Sequence, residues 1–177
     1  KRQEIYIDNE SYMNVTNPTI GAINIGLTFG EEGAHIVTFI LWDVAGNSVA
    51  DELLLIVDMT PPEISAVEFP SEVSIDYEYA MIKFVVLDDS PLSSIYVEYT
   101  FNNKTYVAPA GLIGDKYYAL IPLEDTGSIE FRIIAIDLAG NKGVTSTYII
   151  KVRMPPQFIT LPILLLSILL TALATSA

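Results

Sequence analysis

Between Ser128 and Asp137 apolar and charged side chains take turns: Ile129, Phe131, Ile133 and Ala135 alternate with Glu130 and Arg132. A period of two is that of a strand with one face in a core and the other in water, so the odd positions face inward. Ile134 and Ile136 break the alternation near its end. Comparable runs, separated by Gly, Pro, Asn and Asp clusters, predict strands near 63–69, 77–87, 93–101, 104–109, 116–121, 128–137 and 144–152. Seven short strands with turn signals between them are the pattern of a β-sandwich. Asn102-Asn103-Lys104 supplies a tight turn between the third and fourth, because Asn tolerates positive φ.

The pattern recurs. Asp43-Val44-Ala45-Gly46-Asn47 returns as Asp137-Leu138-Ala139-Gly140-Asn141, and Pro61-Pro62 returns as Pro155-Pro156, both at a spacing of 94 without gaps. At the same offset Glu4 falls on Glu98, Asn9 on Asn103, Tyr12 on Tyr106, Gly33 on Gly127 and Ile40 on Ile134. The expected organisation is an incomplete sandwich over 1–58, a linker over 59–62, a complete sandwich over 63–153 and a second linker over 154–157. Lys1 corresponds to position 95, so the two strands that open the second copy have no counterpart in the first. Two explanations stand: this is the C-terminal part of a longer chain, or a neighbouring molecule donates the strands.

Residues 158–177 are apolar on every face, and twenty helical residues span about 30 Å, the thickness of a hydrocarbon core. A transmembrane helix is the expectation, with membrane lipid as its partner and the β modules extracellular. Pro162 falls in the first turns, and the interior Ser and Thr can bond back to the helix. No Lys or Arg follows the segment to mark a cytoplasmic side.

Composition narrows the functional classes. There are 22 acidic and 9 basic residues, a net charge of −13, with none of these charges after Arg153. Nucleic acid is excluded as a partner, since phosphate binding needs clustered Lys and Arg. The absence of cysteine removes disulfides, thiolate metal sites and thiol nucleophiles together. His35, the only histidine, has no partner for a triad or zinc site and is read as structural.

Two motifs bring a resemblance. The Asp-x-Ala-Gly-Asn turns at 43–47 and 137–141, and the junction Val57-Asp58-Met59-Thr60-Pro61-Pro62, resemble those of the Ig-like or fibronectin type III-like repeats of bacterial and archaeal surface proteins. The likeness covers about 1–153. The second junction, Val152-Arg153-Met154-Pro155-Pro156, lacks the Asp and Thr. The resemblance implies an all-β fold of tandem Ig-like sandwiches, here followed by the C-terminal transmembrane helix. It also implies stalks, adhesins or surface-layer components, and no reaction.

The expected function is therefore structural: a membrane-proximal stalk or a surface-layer or filament component at the cell surface, self-associating or meeting other surface proteins. One alternative is an adhesin or carbohydrate-binding module, with Trp42, on the face opposite Val37, Phe39 and Leu41, as its contact. Another is the stalk of an enzyme whose catalytic domain lies upstream. The one chemical candidate is calcium. Loops at one end of the sandwich gather Asp58, Glu63, Asp88, Asp89, Asp137 and Asn141, hard oxygen donors of the kind calcium prefers, although Asp and Asn are also ordinary turn formers. Asn9, Asn14 and Asn103 stand in glycosylation sequons.

Overall fold

The computed structural model describes residues 1–16 and 24–155. The expected membrane segment, 158–177, lies outside the described residues, and among those described no helix is long and apolar enough to cross a membrane. Every regular element among the described residues is a β-strand. The first copy of the repeat forms β1 (Arg2–Ile7), β2 (Glu10–Thr16), β3 (Gly33–Trp42) and β4 (Ser48–Val57), a four-stranded antiparallel sheet in the order β2-β1-β3-β4.

The second copy forms β5 (Glu63–Glu68), β6 (Glu72–Ser74), β7 (Tyr79–Leu87), β8 (Leu92–Phe101), β9 (Lys104–Ile113), β10 (Lys116–Pro122), β11 (Gly127–Asp137), β12 (Lys142–Val144) and β13 (Tyr148–Arg153). Their order is β5-β7-β10-β9-β8-β11-β13-β6, with β12 also on β11. Strand β9 makes the corner of the sandwich. Lys104–Pro109 pair with β8, and Ala110–Ile113 pair with β10. The turn into β9 forms as the sequence dictates, with Asn102 and Asn103 at φ of 50° and 59°.

The nine strands differ from the seven expected in two places. Between the expected runs 63–69 and 77–87, beyond Pro70, which has no N–H to give a ladder, the chain adds the short β6, parallel to β13. The closing run is broken by a bulge. From Phe131 to Ile134 there are three steps along β11, but from Val144 to Tyr148, their partners, there are four. Thr145 absorbs the extra residue: its N–H donates to the Ile133 carbonyl at 3.1 Å, and its hydroxyl accepts from the Ile133 N–H at 3.0 Å.

Alternation builds the core. Along β7, Ala80, Ile82, Phe84 and Val86 are buried, while Tyr79, Met81 and Leu87 are exposed. Ile129, Phe131 and Ile133 of β11 are buried as their spacing requires. Phe69, Phe131 and Tyr148 form an aromatic cluster, with Phe69 edge-on to Phe131 at 5.1 Å. Ile134 is buried as well, so β11 is covered on both faces near its end.

The described residues form two compact units: Lys1–Ile64 with Val86–Ile95 and Ile134–Val144, and Ser65–Val85 with Tyr96–Ile133 and the described residues from Thr145 onward. The first unit holds the linker after β4, the loop between β7 and β8, and the turn between β11 and β12.

Candidate functional site

The turn between β11 and β12 closes on itself through Asp137. Its Oδ1 accepts the N–H groups of Gly140 (2.6 Å) and Asn141 (2.8 Å), and its Oδ2 accepts from Asn141 Nδ2 at 2.9 Å. Gly140 sits at φ 96°, where a Cβ is unwelcome. Asp137 is 1% exposed. Burial pushes its carboxyl upward, but the Asn141 side chain and the N–H groups of Asn141 and Gly140 outweigh this and hold it below the ordinary value.

A second loop lies against this turn. Asp88 Oδ1 accepts the Ser90 N–H at 2.7 Å, the Leu138 N–H donates to the Pro91 carbonyl at 2.9 Å, and Ser93 Oγ donates to the Ile136 carbonyl at 3.1 Å. The linker completes the arrangement. Asn141 Nδ2 donates to the Asp58 carbonyl at 3.0 Å, and Ser90 Oγ donates to the Asp58 carboxylate. Further along, Thr60 N–H donates to Asp58 Oδ1 at 3.0 Å, and Thr60 Oγ1 donates to Glu32 Oε2 at 2.7 Å. Pro62 packs so closely on Gly143 that a Cβ there would lie 2.0 Å from the Pro62 carbonyl oxygen.

Asp58, Asp88 and Asp137 thereby bring one carboxylate oxygen each within 4.8 Å of one another. Asp88 Oδ2 is buried with no hydrogen-bond partner. Three converging carboxylates, one of which carries a buried oxygen without a donor, are an arrangement a hard divalent cation satisfies. Of the other residues expected here, Asn141 acts as a tie between Asp137 and Asp58, whereas Glu63 and Asp89 point into solvent and are not in the cluster. Ser90 and Gly143 belong to the junction and were not anticipated. The Asp-Asp-Ser-Pro order of the β7–β8 loop hinted at Ser90; nothing local in the sequence marked Gly143 as the seat for Pro62.

In the first copy, Trp42 is half-buried. Arg2, its cross-strand partner, lies over the indole at 4.7 Å, and the indole N–H donates to Glu4 Oε2 at 3.2 Å. Leu41, expected inside, is 48% exposed. His35 Nδ1 is 2.7 Å from Asp8 Oδ2 and Nε2 is 3.0 Å from the Glu31 carbonyl. Both neighbours only accept, so the ring is held with both nitrogens protonated; the Asp8 side chain first, then the Glu31 carbonyl, raise its pKa. Asn9, Asn14 and Asn103 are all exposed, the first and last in hairpin turns.

Two sheets built wholly from strands, the second joined around a corner strand, place the chain in the all-β sandwich class. No protein-family model and no curated protein matches it. Among solved structures it is similar to the twitchin kinase region from C. elegans, at 17% identity and TM-score 0.35, over 59% of this chain and 18% of that one. It is similar to the fibronectin(III)-like modules of Clostridium thermocellum CbhA, at 16% identity and TM-score 0.45, over 86% and 77%. It is also similar to a Ca2+-stabilized adhesin with which an Antarctic bacterium reaches out and binds ice, at 15% identity and TM-score 0.44, over 88% and 41%. The chain thus spans less than half of the twitchin and adhesin chains.

Proposed function

We propose that this chain is a non-catalytic structural element of a cell-surface protein, a membrane-proximal stalk of Ig-like modules anchored by residues 158–177. The observation that supports it is the pinned linker: within five residues Asp58, Thr60 and Pro62 are each tied to or packed on a neighbouring loop. A linker that only joined two independent modules would not need those ties, because flexible tethers are selected for solvation and freedom. A stalk needs a junction that holds its angle. The test is small-angle X-ray scattering on the full chain in detergent, with Pro61 and Pro62 both replaced by glycine and Asn141 by alanine. The wild type should give a single narrow distribution of end-to-end distances and the variant a broad one; equal breadth in both would sink the stalk. Membrane anchoring is checked separately, by carbonate extraction of membranes from cells expressing the chain with and without residues 158–177.

A second reading, calcium at the junction, is favoured by the orphaned Asp88 Oδ2 among three carboxylates. Asp58, Asp88 and Asp137 would supply its protein oxygens, and the ion would brace the linker against both loops. At millimolar calcium the thermal midpoint should rise, and Asp88→Asn should remove the rise; a wild-type midpoint that ignores calcium excludes this reading.

A further inference from the structure

At the 94-residue spacing, one hairpin turn in each copy carries the same two chemical groups. Asn9-Glu10-Ser11 stands where Asn103-Lys104-Thr105 stands in the second copy. The asparagine amide is common to both, and so is a hydroxyl two residues on, although one is serine and the other threonine. The residue between them changes the sign of its charge, and the residue before, Asp8 or Asn102, differs as well. Only the amide and the hydroxyl are shared.

The fold gives both tripeptides one geometry. Ile7 pairs with Glu10 and Phe101 with Lys104, so each hairpin closes over two residues. Both residues of each loop have positive φ: 53° and 68° at Asp8 and Asn9, 50° and 59° at Asn102 and Asn103. This is the signature of a type I′ turn, whose second central position glycine fills best. Neither copy uses glycine there. Nor do the asparagine side chains serve the turn. Asp8 accepts the Ile36 N–H at 2.8 Å and lies 2.7 Å from His35 Nδ1, but among the described residues neither Asn9 nor Asn103 makes a side-chain hydrogen bond. Asn47 and Asn141 are the contrast, since their amides close their turns on Asp43 and Asp137. Asn9, Ser11, Asn103 and Thr105 are all exposed. A position suited to glycine, filled twice by an idle amide with an exposed hydroxyl two residues on, is explained by the sequon and not by the turn. The third sequon has neither property: Asn14 lies inside β2 opposite Glu4, and its counterpart is the buried Ala108.

We propose that Asn9 and Asn103 are acceptor sites for N-linked glycans, one on the equivalent hairpin of each copy. The donor is a lipid-linked oligosaccharide with a phosphate or pyrophosphate on its anomeric carbon. In the transfer a bond forms between that carbon and the asparagine Nδ2, and the bond from the carbon to the phosphate oxygen breaks. The lipid phosphate leaves with the electron pair, and the amide gives up one proton. No oxidant or reductant takes part. Such transfer takes place outside the cytoplasm, so the assignment rests on the cell-surface reading of the chain.

The test takes the full chain from the membranes of cells that make it. Glutamyl endopeptidase cuts after Glu10, which puts Asn9 and Asn14 on separate peptides, and mass spectrometry reads the peptides that hold Asn9 and Asn103. Both should carry added mass in whole-sugar steps. Ser11→Ala should strip the sugar from Asn9 alone, and Thr105→Ala from Asn103 alone, because each change deletes one exposed hydroxyl and leaves the turn residues in place. A bare asparagine at either turn of the wild type overturns the proposal, and so does sugar that survives the alanine changes. Labelling of intact cells with a membrane-impermeant amine reagent keeps the two readings apart. A labelled chain with bare asparagines rejects the glycans and leaves the surface stalk standing, whereas an unlabelled chain with bare asparagines rejects both.

Discussion

Two turns with nearly the same sequence show what a repeat conserves and what it leaves to its surroundings. In Asp43–Asn47 and Asp137–Asn141 the aspartate N–H donates to the asparagine carbonyl, at 2.9 and 3.2 Å. One carboxylate oxygen accepts the asparagine N–H, at 2.9 and 2.8 Å, and the other accepts its side-chain amide, at 2.7 and 2.9 Å. The glycines match as well, at φ 91° and 96°. The motif is a self-sufficient local structure. What separates the two is context: Asp43 and Asn47 are exposed, whereas Asp137 is buried and Asn141 reaches on to the Asp58 carbonyl. The same turn is a plain hairpin end in one copy and the seat of a junction in the other.

The largest contrast should come from the residue two positions beyond each turn, Val49 in the first copy and Gly143 in the second. Val49 is 63% exposed, while any side chain at 143 meets the Pro62 backbone. Gly143→Val, which imports the first copy's residue, should cost about 3 kcal/mol by forcing the linker away. The reverse change, Val49→Gly, should cost only about 1 kcal/mol, for backbone entropy in a strand. Urea denaturation measures both, and equal costs would show that the two turns are not distinguished by what rests on them.

The next contrast is the amide. Asn141→Ala leaves the Asp58 carbonyl and Asp137 Oδ2 without their donor and should cost about 2 kcal/mol. Asn47→Ala removes one bond in water-exposed surroundings and should cost less than about 1 kcal/mol. If calcium binds the junction, only Asn141→Ala should also weaken the calcium-dependent rise in thermal midpoint.

How far the sequence carried this picture depends on the range of the force involved. Alternation located most of the strands to within a residue or two, because one-sided burial leaves a period-two trace, and the paired Asn residues announced the β8–β9 turn. The break at Thr145 was invisible: the run around it is as strand-like as β4, its counterpart, which stays unbroken. The candidate ligands Asp58, Asp88 and Asp137 were legible because turn residues at one end of a sandwich must converge. Glu63 and Asp89, close in sequence to residues of the carboxylate cluster, could not be separated from them without side-chain directions. The Arg2 cover on Trp42 depends on which residue stands opposite in the ladder, and composition does not record that.

The smallest effect, and the one that asks whether the turns share their chemistry, is the dependence on pH. Asp43 is held below its ordinary value of 3.8 by the Asn47 side chain and N–H, and Asp137 is held below it despite burial. A carboxyl depressed by folding contributes stability that is present above its unfolded value and is lost as pH falls through the folded one. His35 has the opposite sign. Raised from 6.5 by Asp8, it contributes fully below that value, and the contribution fades as pH rises through its folded pKa. Carboxyl-detected NMR should find both aspartates titrating below 3.8, and the thermal midpoint should sag at both ends of the pH range. Asp43→Asn should flatten part of the acid limb and leave the upper one; His35→Gln should do the reverse. If Asp43 titrates at its ordinary value while Asp137 does not, the shared hydrogen bonds are not what sets their acidity, and the exposed turn is a looser structure than the buried one.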